Sequence, residues 1–156
     1  MIGLVVKKSK NGKGIFTTQA FSAGDTLFQV EGVFVTGYED DELDESERSN
    51  TFRFSREKYI NPKGTIGDFL NHSCVPSAMV VKRKNKLYLV AIQDTESGIE
   101  VVMDYSTIIA SDDTWEMNCN CGNKECRGVI SQFKKLPQKL KDQYLALGMV
   151  PKYIVS

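Results

Sequence analysis

A mostly β domain with a helical C-terminal tail is the architecture the 156-residue sequence predicts. Three observations predict it. Short β-branched and apolar segments recur between turn signals through the first two thirds of the chain. One pair of them, in "SAMVVKRKNKLYLVAIQ", reads as a hairpin around the polar turn "KRKN". After Pro137 the spacing changes to that of a helix, with Leu140, Tyr144 and Leu147 on one side.

In chain order, "GLVVKK" and "GIFTTQ" flank the turn "SKNGKG", and "DTLFQVEGVFVTGY" follows the turn signal "SAGD". The segment "EDDELDESERSNTFRFSREKY" reads as irregular or weakly helical. Beyond the hairpin, "GIEVVMDYSTIIA" supplies a further strand with an acidic–aromatic pair inside it. Pro137 suits the opening of the tail helix, and Gly148 and Pro151 end it. Neither an internal repeat nor a low-complexity linker is evident.

With 41% apolar and 26% charged residues, the composition is that of a soluble globular domain able to bury one core. The longest apolar runs, such as "LYLVAI", fall far short of the roughly 20 residues a membrane span needs. Twenty basic residues balance twenty acidic ones, which argues against nucleic acid as a direct partner. No signal peptide is evident at the N-terminus, and the expected setting is cytoplasmic. A secreted, host-directed role or a nuclear one is the alternative. In the cytoplasm, cysteines serve as metal ligands or thiols rather than disulfides.

"CNCGNKEC" sets Cys119, Cys121 and Cys126 in a C-x-C-x4-C spacing, with Gly122 allowing a tight turn between ligands. Three thiolates can face one tetrahedral Zn²⁺ but leave one position to fill. Cys74, in "FLNHSCVPS", is the only other cysteine, and the sole histidine, His72, competes with it as fourth ligand. Four thiolates would make a closed, structural site. The plainer alternative is a set of buried thiols beside a surface loop.

These motifs together resemble a SET domain. "SKNGKGIFTTQAFSAGDTLFQVEG" is similar to its opening, "GTIGDFLNHSC" to its central motif and "GIEVVMDY" to its acidic–tyrosine motif. "CNCGNKECRG" resembles the post-SET zinc element. The resemblance spans residues 3–131, and the tail looks like that of small stand-alone bacterial members. It implies several small sheets with a β-clip-like pseudo-knot, in which "NHSC" threads through a loop closed by the tyrosine motif. Expected boundaries are 1–116 for the SET domain, 117–133 for the zinc element and 134–156 for a helical tail packed on the same domain.

The implied activity is protein-lysine methylation with S-adenosylmethionine as methyl donor. By the same resemblance, Tyr105 is the catalytic tyrosine and also touches the cofactor. Asn71 and His72 hold the adenosine end, largely through backbone groups. Asn11, Gly12, Lys13 and Gly14 give backbone contacts to the methionine end. Cys74, Cys119, Cys121 and Cys126 hold one zinc. Met103 occupies the position that helps set how many methyl groups fit. Phe133, Tyr144 and Tyr153 are either channel walls or plain core.

The sequence departs from the family's pattern at Asp68, Val30, Ile99 and Ser77, where arginine, tyrosine, glutamate and asparagine are common. The partner is a lysine-containing protein or peptide, histone-like or basic. The acidic run "EDDELDESE" is either a solvated face or a docking surface for a lysine-rich peptide. The alternative function is a catalytically weak, zinc-stabilised binding module of the same fold. A thiol redox protein would show C-x-x-C beside a βαβ pattern, and neither is present.

Overall fold

A computed structural model describes residues 2–155. Strands β1 (Leu4–Ser9) and β2 (Gly12–Thr17) form an antiparallel hairpin with Ser9 opposite Gly12. Gly12 has φ 91°, a left-handed value that glycine adopts without a Cβ penalty. The apolar stretch that follows is two strands rather than one. β3 (Thr26–Val30) joins the main sheet, and β4 (Val33–Thr36) joins a smaller one. Between them Gly32 lies so close to the Asn61 carbonyl that any side chain would collide with it.

The acidic segment is more ordered than the sequence suggests. Helix α1 (Gly37–Glu42) starts from a capping box between Thr36 and Glu39, and α2 (Glu45–Arg48) starts from Asp44, whose side chain accepts from Glu47 N. Asp40 is buried, accepting from Thr51 Oγ1 at 2.7 Å, so the run is not a uniformly solvated face. Strands β5 (Phe52–Arg53) and β6 (Lys58–Asn61) complete the order β4-β6-β5.

A 3-10 turn at Ile66–Phe69 leads into β7 (Asn71–His72) and then the expected hairpin of β8 (Ala78–Arg83) and β9 (Lys86–Ala91). β10 (Glu100–Met103) organises the main sheet, whose order is β1-β2-β10-β8-β9-β3. Its first half runs antiparallel to β2; its second half pairs in parallel with β7 through Val102–Asn71 and Met103–His72. Ser73 N and Ser77 N then donate to the Met103 and Val102 carbonyls at 2.9 and 3.0 Å. The segment carrying Cys74 is thus bonded twice to the strand that precedes Tyr105.

Contrary to the sequence reading, the acidic–aromatic pair is not inside this strand. β10 stops at Met103 because Asp104 caps a 3-10 turn over Tyr105–Ile108, its side chain accepting from Ser106 N at 3.0 Å. The remaining elements are β11 (Met117–Asn118), β12 (Val129–Ile130), α3 (Gln138–Ala146) and α4 (Lys152–Val155). Leu147 falls just beyond α3 and is 55% exposed, so Tyr144 is the helix's buried residue.

The core sits within the main sheet, where Ile15, Val80, Leu87, Leu89, Val101 and Met103 are fully buried. Each such side chain contributes about 1.5–3 kcal/mol through burial. A second cluster packs Ala110, Phe133, Leu136, Tyr144, Met149 and Ile154 against Met79 and Ile92. Ala78 and Val80 belong to the first cluster and Met79 to the second, so β8 separates the two by its alternation. Among the described residues, no helix is long and apolar enough to cross a membrane.

Candidate active site and cysteine cluster

The sulfur atoms of Cys74, Cys119, Cys121 and Cys126 all lie within 4.8 Å of one another, with Cys74 and Cys119 3.7 Å apart. A tetrahedron with metal–sulfur bonds of about 2.3 Å has edges of about 3.8 Å, so the cluster fits a zinc ion. β11–β12 pairing and the 2.8 Å bond from Cys119 N to Gly128 O close the loop at its base. Gly122, at φ 78°, makes the tight turn between ligands. Burial pushes the Cys74 thiol up, opposed by the N–H of Arg127 donating to its sulfur at 3.4 Å.

His72 is engaged elsewhere. Its Nδ1 accepts from the backbone N–H of Tyr105 at 3.0 Å, which places its proton on Nε2, 3.4 Å from Cys74 Sγ. Burial lowers its pKa to about 4, so the ring is neutral at physiological pH. It supports the Cys74 sulfur rather than competing with it.

Two cavities meet at Tyr105. One, of about 40 Å³, is walled by Phe52, Tyr59, Leu70, Met103, Tyr105 and Trp115, with Asp40 and Asp113, ion-paired to Arg48 and Arg53, also on its lining. Both oxygens of Asp113 are taken, by Tyr59 on one side and by Arg53 and Ala110 N on the other. The second cavity, of about 290 Å³, is polar and includes Asn11, Asn71, His72 and Tyr105 together with Cys119 and Cys121. The Tyr105 hydroxyl donates to the Leu70 carbonyl, and burial holds the phenol well above its ordinary pKa. It is therefore a neutral phenol at any physiological pH.

Of the N-terminal turn, Asn11 lines the polar cavity, whereas Gly12, Lys13 and Gly14 are not on its lining. Gly14 makes room for another group: a side chain there would displace the Glu100 carboxylate. Asn71 ties the hairpin down, donating to Lys13 O at 2.9 Å and Glu100 Oε1 at 2.8 Å. Asp68, where the family commonly has arginine, accepts from Asn50 at 3.1 Å.

The tail aromatics are core, not channel walls. Phe133 and Tyr144 are buried in the second cluster, and the Tyr153 hydroxyl donates to Arg53 O at 2.8 Å. The sequence reading passed over Phe52, Tyr59 and Trp115, which wall the narrow cavity in their place. It also passed over Asp104 and Arg127, a fully buried carboxylate and a guanidinium 2.8 Å apart. The usable signals were the single tryptophan between two motifs, Asp104 directly before Tyr105 and Arg127 directly after Cys126.

A β fold of several small sheets, knitted together by a parallel bridge beside a half-buried tyrosine at the meeting of two cavities, is that of a SET-type domain. The SET domain family matches residues 12–106, and the chain belongs to that family. The chain is 32% identical over 73 residues to a histone-lysine N-methyltransferase, H3 lysine-4 specific, of Candida albicans, covering 44% of this chain and 7% of that protein. It is 30% identical over 82 residues to the histone-lysine N-methyltransferase ASHR3 of Arabidopsis thaliana, covering 50% and 16%. To an H3 lysine-36 specific histone-lysine N-methyltransferase of Yarrowia lipolytica it is 25% identical over 143 residues, covering 81% and 18%. The chain therefore spans less than a fifth of each of these relatives.

Proposed function

We infer that the protein is an S-adenosylmethionine-dependent protein-lysine N-methyltransferase. The observation that carries this reading is the placement of Tyr105 in the wall shared by a narrow, aromatic-lined cavity and a polar one. Asn11, Asn71 and His72 would hold the cofactor in the polar cavity, which supplies an electrophilic methyl group when loaded. The narrow cavity would take the lysine side chain.

Lysine is almost entirely protonated at neutral pH, with a free pKa of about 10.4. Phe52, Tyr59, Leu70, Met103 and Trp115 strip water from the amine, which lowers that pKa and favours the neutral nucleophile. Tyr105, kept neutral, orients the amine rather than deprotonating it. Its hydroxyl proton is committed to the Leu70 carbonyl, and the oxygen's free lone pair can accept from the amine. Holding two reacting groups in line is the main task of such a site.

The cysteine cluster would hold one structural zinc, whose role is to fix the wall of the polar cavity formed by Cys119 and Cys121. The substrate we propose is a protein lysine flanked by basic residues. An open groove lined by Asp44, Glu45, Ser46, Ser49, Trp115 and Met117 supports this, because Ser49 and Trp115 also line the narrow cavity. A cytoplasmic setting, which keeps thiolates reduced, belongs to the same proposal.

The test is incubation with labelled S-adenosylmethionine and lysine-containing peptides of basic or acidic flanking sequence. Label on the lysine of basic peptides is the expected result. Cofactor binding without transfer to any peptide or lysate protein would instead favour a binding module.

A further inference from the structure

Arg127 follows the last cysteine of the cluster and lies outside the residues 12–106 matched to the family. Its backbone N–H donates to Cys74 Sγ at 3.4 Å. Its guanidinium reaches the other way, to the residues on either side of Tyr105: Nη2 is 2.8 Å from Asp104 Oδ1 and 3.3 Å from Ser106 Oγ. Asp104 is 0% and Ser106 1% exposed. The second Asp104 oxygen accepts from the Tyr144 hydroxyl of α3 at 2.8 Å, so the carboxylate is held from two directions.

We propose that Arg127 is a positioning residue for Tyr105, transmitting the state of the cysteine cluster to the turn that carries the reactive hydroxyl. The inference rests on the methyltransferase reading of Tyr105. One residue carries both links: its amide senses the Cys74 sulfur, and its side chain grips both chain neighbours of Tyr105. A parallel route runs from Cys74 through His72 to the Tyr105 amide. The turn is thereby held at its amide by one arm and at its flanks by the other.

Arginine suits this role because one rigidly held nitrogen, Nη2, points two N–H groups at Asp104 and Ser106 with a fixed charge, while Nη1 is buried without a partner among the described residues. A lysine ammonium keeps the charge and the donors but not the rigid planar placement. Without the guanidinium, Asp104 is a buried carboxylate with no cation beside it, and the turn must shift to relieve it. A displacement of about 1 Å at a reacting group costs on the order of 10²-fold in rate.

The test uses the full chain with zinc supplied and compares Arg127→Met and Arg127→Lys with the parent. Zinc content, S-adenosylmethionine affinity, kcat, peptide KM and segment-resolved hydrogen exchange are all measured. The expected result for Arg127→Met is one zinc per chain, cofactor affinity within about twofold, and kcat lowered on the order of 10²-fold with KM nearly unchanged. Exchange should quicken in residues 104–108 while the β8–β9 hairpin stays protected, and Arg127→Lys should fall between. If Arg127→Met does not fold, Arg127→Met combined with Asp104→Asn removes the unpaired charge and carries the same comparison.

Unchanged kcat and unchanged local exchange would overturn the proposal. So would loss of zinc and cofactor together, or faster exchange throughout the chain, since either makes Arg127 a general support. Should the parent transfer no methyl group at all, the methyltransferase reading falls. The exchange comparison then still decides whether Arg127 holds the turn.

Discussion

The hydroxyl of Tyr105 donates to the carbonyl oxygen of Leu70, a residue 35 positions earlier at the entry to the segment that carries Cys74. The phenol is thus oriented by the fold before any substrate arrives. Its burial keeps it neutral, which on the proposed methyltransferase reading suits it to placing the amine and not to acting as a base.

Tyr105→Phe should keep the fold, zinc and cofactor affinity while lowering methyl transfer on the order of 10²-fold, the usual effect of removing one oriented hydrogen-bonding group. The ring contacts with His72 and Trp115, at 5.3 and 6.3 Å between centroids, survive the change. Turnover equal to the parent on the same peptide would refute the assignment.

Purified without chelator, the protein should contain one zinc per chain. Cys74→Ser should lose zinc and weaken cofactor binding together, because Cys74 and the cavity residues Asn71 and His72 share one short segment. Elemental analysis and isothermal titration read the two effects. Zinc loss with cofactor affinity intact would separate functions that the fold places together.

Met103 is fully buried and lines the narrow cavity beside Tyr105. A flexible thioether without a hydroxyl yields to a bulkier, already methylated amine. Product analysis by mass spectrometry should therefore find di- or trimethyl-lysine at long times with excess cofactor. Met103→Tyr should shift the product toward one methyl group. Strictly monomethylated product from the parent would contradict this.

Arg53 is 3% exposed and bonds Asp112 at 2.5 Å and Asp113 at 3.0 Å. Arg53→Met leaves Asp113 buried without its cation and should cost about 3–5 kcal/mol in chemical denaturation. The hydrogen bond from Arg53 depresses the Asp112 pKa, so its contribution is present above the unfolded value of about 3.9 and is lost as pH falls through the lower folded value. Asp112 is 70% exposed, which makes that acid-limb change small. A melting temperature unaffected by Arg53→Met would show that the pair contributes little.

Much of this was legible in the chain because it is local. The two hairpins follow from β-branched runs around turn residues, and the cysteine spacing points to one site. What escaped notice depends on contacts distant in sequence. Nothing near Trp115 says that it will face Tyr105, and nothing near Arg127 says that it will reach Asp104. Strand β10 looked longer than it is because apolar residues resume beyond Asp104, at Tyr105 and at Ile108–Ala110. Its end is set by the Asp104 side chain bonding Ser106 N, a local competition that residue type alone does not rank. The acidic run looked solvated because composition cannot foresee that Asp40 is capped by Thr51 and turned inward.

The parallel bridge between β7 and β10 joins segments far apart in the chain, as do other contacts around it. Ser9 and Glu100, bonded at 2.8 Å, are 91 positions apart, and Lys10 and Asn120, bonded at 3.0 Å, are 110 apart. Contacts of such separation carry a large loop-closure cost and form late. The β1–β2 and β8–β9 hairpins can close on their own, but the seat of Tyr105 cannot exist until β10 docks beside β7. The seat of Tyr105 is therefore a property of the assembled domain, since it needs Leu70, His72 and the end of β10 in place together.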